Sequence, residues 1–256
     1  MTVVRVRLAR AVAFLSIGLL AVGCTAVTGG KAQAPPRLMP RSLTGQTIRQ
    51  VLLDGGTLSR ILKEPFIIDR RLPPRFGGPE ALQDLRSASP VDCLGVAEML
   101  HQSVYQSSEV NDVADETWRQ AAISAKLTDI KEGVVSLPTA ADANALFSRF
   151  SQQWQKCDGQ ALLLPDRVFR LRAKITNVQV APSVLAGTVW IALDSPSSDT
   201  LSIPARRAIG VRGNCLVEVE VDFFNESSRS LQGSVVTNAT AVDIAQIMMD
   251  RVSSLS

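Results

Sequence analysis

The side chains with chemistry to offer are four cysteines, a single histidine, three tryptophans and an acidic run, NDVADETW, at 111–118. Catalysis needs an acid, a base or a nucleophile brought to one place, and no motif here announces such a meeting. There is no HExxH, no GxSxG and no glycine loop able to cradle phosphate. With one histidine and no CxxC, a structural zinc has no ligand set. His101 lies in the helical stretch 91–105 beside Leu94, Ala97 and Val104, where an imidazole is expected to pack rather than react. Asp112, Asp115 and Glu116 could hold a cation, although carboxylates of a solvated strand edge or loop account for them as well. Trp118, Trp154 and Trp190 could line a ligand pocket. Trp154 falls within the apolar stripe of a helix, which leaves Trp118 and Trp190 as groove candidates. The expectation is a non-enzymatic chain with no cofactor and no metal.

The cysteines say more. Arg5, Arg7 and Arg10 precede the apolar run AVAFLSIGLLAV (11–22), and Gly23 and Cys24 follow at once, the layout of a secretory signal over 1–23. The apolar run is short of the roughly 20 residues that cross a bilayer. LLAVGC resembles a bacterial lipobox, with Ala21 where that pattern prefers leucine. The resemblance implies that Cys24 becomes the N-terminus and carries diacylglycerol and further acyl chains such as palmitate. More than one chain is what lasting attachment requires, at about 0.8 kcal/mol per buried methylene. Residues 24–42, small, polar and proline-rich, then form a lipidated flexible tether. A plain cleaved signal or a short signal anchor is the alternative. The expected place is the extracytoplasmic face of the cell membrane.

Charge follows from the signal. The chain has 27 Lys+Arg and 24 Asp+Glu. Removing residues 1–23 takes three arginines and no acids, so the mature chain is neutral and gives no argument for nucleic-acid binding.

The elements that must position these groups are legible as periodicities. Three helix starts carry Ser or Thr followed three residues on by Asp: Ser89 with Asp92, Thr139 with Asp142, and Thr240 with Asp243. Ala143, Leu146, Phe147, Phe150 and Trp154 form one apolar stripe; Ile244, Ile247, Met248 and Val252 form another. TIRQVLL (47–53) and TLSRILKE (57–64) read as broken helix, and Pro79 as the start of a short one. Strands are expected within 126–137, at VFRLRAKI (168–175), VLAGTVWIAL (184–193), RRAIGVR (206–212) and CLVEVEVDFF (215–224), with a hairpin turn at 212–214. The last strand alternates Cys215, Val217, Val219, Val221 and Phe223 on a packed face with Leu216, Glu218, Glu220 and Asp222 on a wet one. If that acidic face adjoins the basic one at 170–174, opposite charges would pair across the sheet. The order of elements argues for α+β.

With Cys24 committed to lipid, three thiols remain. Cys93 and Cys157 flank helices that must share a core in an oxidising compartment. A bridge between them would close a loop of about 64 residues and contribute on the order of 4 kcal/mol. Cys215 is left over, a buried free thiol on an inward strand face.

PVDCLGVAEMLHQSVYQSS, EGVVSLPTAADANALFSRFSQQWQKC, RRAIGVRGNCLVEVEVDFFN and IAQIM, in that order, resemble the extracellular sensor domain of the mycobacterial kinase PknH and its lipoprotein relatives. The resemblance covers about 43–253, and the folded domain is taken as 43–256. It implies an α+β fold, a central antiparallel sheet with helices packed around a groove, and two disulfides. The first maps onto Cys93 and Cys157. The second would fall near Ala205 and Asp222, neither a cysteine, so one disulfide is expected. The function implied is a lipid-anchored envelope lipoprotein whose sensor-like domain binds a small molecule, an envelope component or a partner protein. A carboxylate-dependent envelope hydrolase, or an interaction scaffold without a pocket, is the alternative.

Overall fold

The computed structural model describes residues 41–83, 90–121, 127–165, 170–194, 202–223 and 239–256. The signal, Cys24 and the tether up to residue 40 lie outside the described residues, as does Ser89. The strands are β1 (Phe66–Ile68), β2 (Arg75–Gly77), β3 (Asp112–Gln120), β4 (Leu127–Ser136), β5 (Ala161–Pro165), β6 (Arg170–Val180), β7 (Val184–Leu193), β8 (Ser202–Arg212) and β9 (Cys215–Phe223). All nine join one antiparallel sheet in the order β1-β3-β4-β9-β8-β7-β6-β5, with β2 also on β3. The helices are α1 (Gly55–Leu62), α2 (Leu94–Ala97), α3 (Gln102–Tyr105), α4 (Ala140–Cys157) and α5 (Ala239–Leu255), with 3-10 turns at Gly45–Val51, Pro79–Ala81 and Val91–Cys93. This is the expected α+β architecture.

Helices cover both faces, and each long one covers only part of its face. The Thr139 hydroxyl accepts the Asp142 backbone N–H at 3.2 Å and starts α4. The stripe Ala143, Leu146, Phe147, Phe150 and Trp154 then buries against Ala173, Ile175, Leu185, Val189 and Ile209 of β6, β7 and β8. On the other face Ile244, Met248 and Val252 of α5 pack on Ala208, Val217 and Val219. The Cys93–Cys157 disulfide ties the two ends of the first layer across 64 residues. Cys215 is fully buried and free. The β8–β9 hairpin turns at Gly213, whose φ of +55° suits a residue without a side chain. Ala205 and Asp222, where the resemblance puts a second bridge, face each other across that hairpin.

Several local readings change. Residues 91–105 are not one helix: α2 ends at Glu98 in extended backbone, and Leu100 takes φ +51° before His101 caps α3. The chain opens there because Gln83 pairs with it, its N–H donating to Leu100 and its carbonyl accepting from Gln102. Leu100 fills the notch over Gly133, where a Cβ would meet it at 2.7 Å. α1 starts at Gly55, two residues ahead of the expected 57, because Asp54 caps it by accepting the Thr57 N–H at 2.9 Å. Thr240 lies inside α5 rather than ahead of it.

The largest correction concerns β9. Both of its faces are buried, Leu216 and Glu218 as fully as Val217 and Val219. A central position between β4 and β8 leaves no wet side, so the acids must find partners inside the protein. Nor do they face the basic strand. β6 lies three places away in the sheet.

Candidate functional site

Thr117, Lys131, Glu220 and Arg207 stand in register on β3, β4, β9 and β8, forming one polar row on the α4 face. The α4 stripe covers the β6–β8 side of this face. Beyond it, the row runs under Leu72, Pro73 and the Glu98–Met99 turn. There Thr117, Lys131 and Glu220 floor a cavity of about 420 Å³, lined also by Arg75 and Asp115, and Arg207 lies buried beside Glu220.

Each cation in and beside this floor is engaged by at least one carboxylate. The fully buried Arg207 donates from Nη2 to Glu218 Oε2 at 2.6 Å and from Nη1 to the Val96 carbonyl at 3.1 Å. Its Nε lies 3.7 Å from Glu220 Oε2. Glu218 Oε1 accepts the Tyr105 hydroxyl and the Leu100 N–H. Lys131 donates to Glu220 and stands 3.6 Å from Asp222. Arg75 forks onto Asp115. Such pairing is what makes buried charge tolerable, since an uncompensated ion at low dielectric costs several kcal/mol.

Burial works to raise Glu220, but Lys131 and Arg207 outweigh it and hold this carboxyl below its ordinary range. Burial and the Glu220 charge together push Asp222 up to about 7. Glu98, at the cavity wall, is raised first by burial and then by Glu220. Its carboxyl therefore gives up a proton less readily than an ordinary glutamate's. A proton donor beside a fixed carboxylate is half of a hydrolytic pair. Glu220 is not free to complete such a pair, because both of its oxygens are turned to cations. Among the described residues no cluster of three or more His, Cys, Asp or Glu could hold a metal ion.

The residues singled out in the sequence are scattered. Trp118 and Trp190 occupy the α5 face, on strands four places apart. Trp118 packs against α1, where a Cβ on Gly55 would meet its ring at 2.8 Å. Trp190 lines a second hollow with Arg172 and Lys174. His101 Nδ1 sits 2.8 Å from the Ser103 hydroxyl. Strand alternation splits the acidic run: Asp115 faces the cavity, while Glu116 faces Glu132 on the far side. Glu98, Lys131, Glu220 and Arg207 escaped sequence reasoning. One signal was available: Arg206 and Arg207 interrupt an apolar strand, and buried guanidinium groups need acids.

Residues 43–251 match the family model of the PknH-like extracellular domain. The chain belongs to the PknH-like extracellular domain family. Its structure is similar to the crystal structure of the extracellular domain of PknH from Mycobacterium tuberculosis, with TM-score 0.66 and 17% identity over 84% of this chain and 100% of that one. Weaker likenesses reach a putative uncharacterized protein of Mycobacterium smegmatis (TM-score 0.35, 9% identity, 79% and 96% of the two chains) and a hypothetical protein of Helicobacter pylori (TM-score 0.28, 10% identity, 49% and 84%). No curated protein matches the sequence. As a PknH-like domain the chain is extracytoplasmic and sensor-like, which accords with an oxidised Cys93–Cys157 pair.

Proposed function

We propose that this protein is a lipoprotein anchored through Cys24, whose PknH-like domain binds a small polar ligand of the envelope without transforming it. The observation that supports binding is the preformed cavity whose cations, Lys131 and Arg75, are already paired with Glu220 and Asp115. A charge-matched lining orients a ligand through fixed dipoles, whereas general acid–base work needs groups free to exchange protons. Glu98, whose carboxyl burial raises, faces the cavity and is available for a hydrogen bond with a ligand.

Native mass spectrometry of the protein purified from its own envelope tests this. A bound mass retained by the wild type and lost in Lys131→Met is expected. No retained mass in either would favour a scaffold. Turnover of envelope glycans or lipids that vanishes in Glu98→Gln would favour the hydrolase. Labelling cells with radioactive fatty acid tests the anchor, and Cys24→Ala should abolish the label.

A further inference from the structure

Arg170, Arg172 and Lys174 alternate along β6 and so share one face of the sheet. The acids that might have met them, Glu218, Glu220 and Asp222, are turned to the opposite face and engaged by Lys131 and Arg207. Among the described residues the strip has a single ion pair, Arg172 with Asp194 at 2.7 Å. α5 packs on β8, β9 and part of β7, and among the described residues Arg170, Arg172 and Lys174 of β6 stay exposed on this face.

Apolar groups stand in the same opening. Trp190 lies opposite Lys174 in register, and its indole N–H donates to the Thr176 hydroxyl at 3.0 Å, which fixes the ring. Leu163, opposite Arg172 on the edge strand β5, is 41% exposed. Arg172, Lys174, Thr176, Trp190, Ala192 and Ser202 line a hollow of about 330 Å³. Since the chain without its signal is neutral overall, this strip is a local concentration of charge.

We propose that this wing docks on a bilayer and that its hollow receives the phosphate-bearing headgroup of an anionic phospholipid. Arg172 and Lys174 face the phosphate, Arg170 adds attraction from the side, and Trp190 and Leu163 lodge at the apolar boundary. Cations beside a tryptophan and an aliphatic side chain are the chemistry of a membrane interface. The inference rests on the anchoring proposed above.

The test uses the mature chain carrying Cys24→Ala, so that no lipid holds it, and cosedimentation with vesicles. Binding to vesicles containing phosphatidylglycerol, absence of binding to phosphatidylcholine alone, and weakening by salt are expected. Neutralising Arg170, Arg172 and Lys174 together with glutamine should weaken partition about a hundredfold. Trp190→Ala should weaken it severalfold while the circular dichroism spectrum is kept. Equal binding to both vesicle types, or indifference to the triple substitution, would overturn the proposal. So would tight binding of soluble glycerol phosphate with no vesicle binding. A failed vesicle assay with the Cys24 label intact would refute docking alone, whereas loss of the label would remove the anchor instead.

Discussion

Glu132 offers the sharpest test of how this fold handles charge. It is fully buried on the α5 face of β4, directly across from Glu116 of β3. One oxygen accepts the Leu53 N–H at 3.2 Å; the other makes no hydrogen bond of good geometry, although the Trp118 indole N–H is near enough to pull on the carboxyl. Burial, with a further push from Glu116, lifts its pKa from 4.5 to about 8, against the pull of Leu53, Trp118 and Arg251. The folded state therefore holds a proton that the unfolded chain releases above its ordinary pKa. For a raised carboxyl, stability is fully present at low pH and falls as pH rises through the window from 4.5 to about 8. The loss across that window is on the order of 4 kcal/mol. Glu132→Gln keeps an acceptor for Leu53 and removes the titration. Urea denaturation of both proteins from pH 5 to 8.5 should show similar stability at the acid end. At the alkaline end the variant should be more stable by about 3–4 kcal/mol. The difference between the two curves isolates Glu132 from Asp222, Glu98 and Glu218, which are also raised. Parallel curves would refute the reasoning.

Replacing Cys93 and Cys157 with alanine should cost about 4 kcal/mol in urea denaturation, the chain-entropy value for a 64-residue loop; a loss under 1 kcal/mol would contradict it. Arg207→Met leaves Glu218 and Glu220 buried without their guanidinium and should destabilise by about 3–5 kcal/mol. Adding Glu218→Gln should recover part of that loss, and a double variant as unstable as the two singles summed would count against the pairing. Burial pushes the Cys215 thiol up to about 12. A thiol reagent at pH 8 should find it inert in the folded domain and reactive in guanidinium, and native labelling would contradict its burial.

The sequence by itself determined the elements that local physics dictates. Alternation marked β9 from Cys215 to Phe223, the Thr139–Asp142 box placed the start of α4, and the stripe through Trp154 named its packed side. The spacing of Cys93 and Cys157 about one helical layer also carried through to a bridge. What it could not determine was which strands are neighbours, because a residue's periodicity says which face it shares but not what lies on that face. Hence alternation alone points Glu218 and Glu220 to water, although a central strand with both sides covered forces them inward against Arg207 and Lys131. The same cause broke the 91–105 helix, whose backbone at Leu100 answers to Gln83 and Glu218 rather than to its own sequence. The cavity is likewise a product of strand order. Its lining comes from segments between residues 72 and 220, which the pairing of β3, β4 and β9 and the contact of Gln83 with the chain at Leu100 bring to one place.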